Sequence, residues 1–172
     1  MTYKKERGMV MELKIPENFF VGAAMSGPQT EGAYKTGGRL ESIWDTWSDL
    51  SISDFYNKVG SYVGNNFYEK YEDDIKLLKS LHMDSFRTSM QWSRLLTKDG
   101  KLNQEGAQFY HKVCKCAKEN QIELFMNLYH FDMPTYLFER GGWERRDVVE
   151  AYAAYARAAF REFGSEIRYW FT

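Results

Sequence analysis

Four places in this sequence put reactive side chains directly after apolar runs: Gln29 with Glu31, Arg87 to Ser89, His130 with Asp132, and whatever follows Thr172. In a parallel α/β barrel the chemistry sits at such points, where strands end and loops begin. Each residue type offers something definite. A glutamine amide both donates and accepts hydrogen bonds, and a histidine ring nitrogen donates one. An arginine beside a carboxylate keeps that carboxylate ionised. By residue type alone each also has a plainer reading: a glutamine tying a loop, an arginine in an internal ion pair, a histidine bonding within the structure. Glu31, Asp45 and Asp132 read as acids that fix loops, Asp132 as a turn-former before Pro134, and Glu72, Asp73 and Asp74 as a solvated helix face. His82, His111 and His130 fall on separate elements, so no metal site is expected. The pairs Gly37-Gly38 and Gly141-Gly142 read as turns, not as a phosphate-cradling loop. No cofactor is expected.

The elements that would position these residues follow from hydrophobic spacing. The run Phe19 to Met25, closed by Ser26-Gly27-Pro28, has the length of a buried strand. A Gly-rich, aromatic-dotted loop follows, roughly Glu31 to Gly64, long enough to carry small elements of its own. Phe67, Tyr71, Ile75, Leu78 and Leu81 recur at helical spacing behind a cap at Asn65 or Asn66. Ser85 to Met90 reads as a second strand. Asn103 caps a helix to about Asn120, with Phe109, Val113 and Cys116 inward. Ile122 to Tyr129 is a third strand, Asp147 to Phe163 an alanine-rich helix, and Ile167 to Thr172 a fourth strand. Strands alternating with helices imply a parallel sheet with helices outside. A doubly wound sheet is one solution. A (β/α)8 barrel is the other, and it takes about 250 residues, so this chain supplies about half of one.

Bulk properties exclude several classes. Formal net charge is −1 from 23 basic and 24 acidic residues, which gives no electrostatic footprint for nucleic acid or anionic lipid. Met1 to Gly8 is polar and charged, unlike a secretion signal, and no run approaches the roughly 18 apolar residues of a membrane span. Cys114 and Cys116 sit two apart in a helical pattern and point to different faces, so they neither bridge nor share a metal. Free thiols without a signal point to the cytoplasm. Aromatic residues make up 17%. They chiefly indicate a core of large side chains, the alternative being rings that stack on sugar C–H groups.

The strings FFVGAAMSGPQTEG (19–32), SIWDTW (42–47), FRTSMQWSR (86–94), LYHFDMP (128–134), GGW (141–143) and RYWFT (168–172) stand in one order along the chain. In that order the sequence, from about Lys14 to Thr172, resembles the N-terminal part of family 1 glycoside hydrolases. The wording of several strings is closer to the bacterial 6-phospho-β-glucosidase branch. The resemblance implies an α/β fold, the N-terminal half of a (β/α)8 TIM barrel over residues 14–172, behind a polar tail at 1–13. It implies that Gln29 and His130 bind the glycone sugar and that Arg87 supports the nucleophilic carboxylate. Phe131 stands where many relatives carry Trp.

A retaining glycosidase needs two carboxylates about 5–5.5 Å apart. In the family the acid/base glutamate follows a Trp-x-Thr such as Trp170-Phe171-Thr172 in an Asn-Glu-Pro, and the nucleophile comes much later; this sequence contains neither motif. The implied function is hydrolysis of 6-phospho-β-glucosides to glucose 6-phosphate and an aglycone, with the 172-residue chain inactive alone. The alternatives are a β-glucosidase for unphosphorylated substrates and a non-catalytic half-barrel. The expected partners are the phosphorylated glucoside, the C-terminal half of the barrel and, through open sheet edges, further copies of the chain.

Overall fold

The computed structural model describes residues 14, 16–50 and 56–172. The polar tail expected at 1–13 lies outside the described residues. The chain runs β1 (Gly22–Ala24), α1 (Gly27–Thr30), α2 (Ile43–Asp49), a 3-10 turn (Tyr56–Lys58), α3 (Phe67–Ser80), β2 (Ser85–Ser89), α4 (Trp92–Leu95) and α5 (Gln104–Glu119). It continues through β3 (Glu123–Asn127), α6 (Thr135–Glu139), a 3-10 turn (Gly142–Glu144), α7 (Arg146–Phe163) and β4 (Tyr169–Phe171). The strands form one parallel sheet in the order β1-β2-β3-β4. A doubly wound sheet reverses its strand order at a switch point. Here spatial order equals chain order, which is the arrangement of the first part of a (β/α)8 barrel.

Side chains alternate across each strand and so give the sheet two unlike faces. Phe86, Leu124 and Met126 are buried against the helices, where Phe86 meets Phe67 of α3. The other face carries Arg87, Phe125, Asn127 and Tyr169, with Phe125 and Tyr169 paired in register and stacked at 4.6 Å. The helices bury what their spacing predicts. Phe67 and Ile75 of α3 are buried, with Tyr71 and Leu78 packed against the core. On α5, Phe109, Val113 and Cys116 are buried as expected, and so is Cys114. The two cysteines face different neighbours: the Glu166 charge acts on Cys114 and the Glu72 charge on Cys116.

Some expectations are corrected. The apolar run at 19–25 forms only three residues of strand, and Phe19, Phe20 and Val21 are exposed. The reason is position: β1 is an edge strand, and Phe20 lies against Phe125 and Tyr169 instead of beneath helices. Asn66 precedes α3 in a left-handed conformation (φ 58°) and makes no side-chain cap, so it is a turn residue. Asn103 does precede α5, but its side-chain amide donates to the carbonyls of Gly37 (2.6 Å) and Arg94 (2.9 Å). Leu81 ends α3 exposed.

Candidate functional site

At the C-terminal end of β1 the chain turns directly into α1. Gly27 N–H donates to Ser89 Oγ (2.7 Å), which ties this helix to the end of β2. Ser26 Oγ donates to Gln29 Oε1 (2.6 Å), fixing the amide at the surface. Beyond β3, His130 and Phe131 follow Tyr129, and Phe131 takes a positive φ of 65°. That conformation is costly for a bulky side chain and gathers at functional sites. The helix α1 and the loop after β3 meet. Pro28, Gln29, Trp44, Ser61, His130 and Phe131 line one cavity of about 280 Å³. A larger hollow of about 700 Å³ opens at the opposite ends of the strands, lined by residues such as Asp84, Lys118 and Glu123. Barrel chemistry belongs to the C-terminal face, so the smaller cavity is the candidate site.

Of the residues singled out by sequence, the structure therefore brings Gln29 and His130 together. Arg87 does not line the cavity. It lies on the inner sheet face, where its Nε donates to Asn127 Oδ1 (2.9 Å). Its charge still reaches the site: burial and the nearby Arg87 guanidinium hold the His130 ring below its ordinary pKa. His130 is thereby favoured as a neutral ring, which can donate from one nitrogen and accept at the other.

The carboxylates beside the site are all occupied. Glu31 receives Arg94 Nε (2.7 Å), Gln91 Nε2 (2.6 Å) and the Tyr110 hydroxyl (2.8 Å), and both members of its ion pair are buried. Asp45 accepts from Arg39 Nη1 (2.8 Å) and from the backbone N–H of Ser42 (2.8 Å), closing a capping box on α2. Asp132 accepts the backbone N–H groups of Trp92 (2.7 Å) and His130 (3.2 Å). Burial pushes its carboxyl up to about 6 against those donors. Each does what the loop-fixing reading expects. Among the described residues no group of His, Cys, Asp and Glu is placed to hold a metal.

Sequence reasoning missed Trp44, which lines the cavity, and Asn127, which holds Arg87 beside it. Trp44 stood inside a recognised string, yet nothing in its spacing separated it from core aromatics. Asn127 is a polar residue two positions after Phe125 in a strand, and that alternation was the available signal for the inner face.

With this geometry in place, comparisons give a consistent answer. The family model for Glycosyl hydrolase family 1 matches residues 11–172. The 6-phospho-beta-glucosidase GmuD of Bacillus subtilis is 41% identical over 162 residues, which cover 94% of this chain and 35% of that protein. Beta-glucosidase 9 of Arabidopsis thaliana is 40% identical over 160 residues, covering 92% of this chain and 31% of that protein. The crystal structure of the beta-glucosidase from Exiguobacterium antarcticum B7 superposes with a TM-score of 0.89 at 36% identity, covering 93% of this chain and 36% of that one. The chain thus spans about a third of the length of the curated relatives it matches.

Proposed function

Because the chain belongs to glycosyl hydrolase family 1, we propose that it forms the glycone-binding part of a retaining β-glycosidase. The observation that carries this reading is that Gln29 and His130, from segments after different strands, line one cavity at the C-terminal end of the sheet. Its volume, about 280 Å³, suits one sugar ring, and Trp44 and Phe131 offer apolar faces beside the two polar groups. A sugar hydroxyl both donates and accepts, which a glutamine amide and a neutral imidazole can match. Arg87 keeps the nucleophilic carboxylate ionised in this proposal, by its positive charge.

The substrate we infer is a β-glucoside carrying phosphate on O6, cleaved to glucose 6-phosphate and an aglycone. The wording of strings such as SGPQTEG and YHFDMP supports this, as does the name of the Bacillus relative. A plain β-glucosidase is the second reading, favoured by an Arabidopsis relative of nearly equal identity. Hydrolysis of 4-nitrophenyl β-glucoside with and without 6-phosphate, by these residues joined to the catalytic carboxylates, separates the two. A preference for the unphosphorylated glucoside would reject the phosphate reading.

We also infer that the 172 residues alone do not turn over substrate. Glu31, Asp45 and Asp132 are buried and engaged by cations or backbone N–H groups, so none is free to act as nucleophile or acid. Turnover by the purified chain above a blank would sink this inference. A cytoplasmic location completes the proposal, supported by two cysteines that are free thiols.

A further inference from the structure

Arg39, Arg87 and Arg94 are the arginines among the described residues that are not exposed. Two of them are neutralised. Arg39 pairs with Asp45 at 2.8 Å and Arg94 with Glu31 at 2.7 Å. Arg87 differs, because its partner among the described residues is an amide: Nε donates to Asn127 Oδ1 at 2.9 Å. Removing a cation from water without a counter-charge is costly, and proteins normally pair such a group. A half-buried arginine held by a neutral acceptor therefore needs a reason.

The sheet register supplies the geometry. Arg87 pairs with Phe125 and Ser89 with Asn127, so Arg87 and Asn127 are diagonal neighbours on the inner face at the C-terminal end of the sheet. An aspartate at 127 would have the same shape and would make a charge-assisted pair. That pair would orient the guanidinium and cancel its charge. An asparagine orients it and leaves the charge intact.

We propose that Asn127 is a positioning residue, an uncharged tether that fixes the Arg87 guanidinium while keeping its positive charge available to an anionic group at the mouth of the sheet. On the glycosidase reading, on which this purpose rests, that group is the nucleophilic carboxylate. At the mouth the His130 ring is held down by burial first and by the Arg87 charge second, which is consistent with that charge being left uncancelled.

The test is ¹⁵N NMR of the 172-residue chain. The wild type is expected to show a solvent-protected Arg87 Nε–H resonance. Asn127→Leu should lose it while the Arg39 and Arg94 Nε–H resonances persist, their persistence recording that the fold is kept. Asn127→Asp should retain the Arg87 resonance and raise the His130 titration, and Arg87→Met should raise it likewise. Survival of the Arg87 resonance in Asn127→Leu overturns the proposal. So does an unmoved His130 titration in Asn127→Asp, which decides the matter if the leucine variant fails to fold. The sugar reading fails separately: a β-glucoside titration that leaves the Gln29 and His130 signals of the wild type unmoved rejects it without touching the tether.

Discussion

Asp132 is a carboxylate that folding moves to an unfavourable place for its charge. It is fully buried, and its pKa is pushed up to about 6 by burial, although two backbone N–H groups stabilise the ionised form. In an unfolded chain an aspartate titrates near 3.9. A folded pKa above the unfolded one contributes stability that is complete below about pH 4 and is lost as pH rises through about 6. At about 1.4 kcal/mol per pKa unit, the ceiling on that loss is about 3 kcal/mol. His130, held below its ordinary value, acts with the opposite sign, and His111, raised above it by Glu162 and Glu166 against burial, acts with the same sign. The Asp132 contribution is therefore isolated by comparison with Asp132→Asn. Between pH 7 and pH 5 the wild type should gain urea resistance relative to that variant. Parallel pH profiles would mean that Asp132 titrates normally. The chemistry of this residue was half legible in sequence. Its loop-fixing role followed from its place before Pro134, whereas its burial depended on Trp92, which is 40 residues away and invisible to local pattern.

Elements longer than about two turns were legible because periodicity accumulates with length. The helices α3, α5 and α7 and the strands β2 to β4 fall where hydrophobic spacing put them, whereas β1 occupies only part of its apolar run. The short helices α4 and α6 did not announce themselves, since four or five residues hold too little period to distinguish from a turn. The shortened β1 has a different cause. It is an edge strand, and its first residue sits at a tight contact: a Cβ added at Gly22 would lie 2.0 Å from the carbonyl oxygen of Ser85. The strand can approach β2 only without a side chain there. Gly22→Ala should thus push β1 away from β2 and loosen the α1 turn that carries Gln29. Hydrogen exchange measures this directly. The amides of Met25 and Gly27, bonded to Arg87 O and Ser89 Oγ, should lose protection while those of β3 keep it. Equal protection in both proteins would show that β1 tolerates the methyl group.

At the scale of the molecule, the sheet face away from the helices is an aromatic surface open to solvent. Phe20, Phe125, Tyr169 and Phe171 contact one another across it, and Phe20 and Phe171 are 43% and 49% exposed. The alternation of β3 and β4 was readable, but which face would lie uncovered was not, because that depends on whether other residues close the barrel. In relatives about three times as long, further chain is available to cover such a face. Edge strands and exposed apolar patches of this kind drive association. The 172-residue chain alone is therefore expected to self-associate, with a light-scattering mass that rises with concentration. Fully burying one phenylalanine is worth about 1.5–3 kcal/mol. Phe20→Ser and Phe171→Ser should then each weaken association about tenfold or more, and because both side chains are already half in solvent, the fold should persist. Helical circular dichroism and a cooperative melt check that persistence. A monomer mass at every concentration would mean that the inner face is satisfied without a partner. Association that ignores both substitutions would instead place the contact on another surface, the apolar hollow between α2 and α6 lined by Trp47, Leu50 and Phe138 being the next to examine.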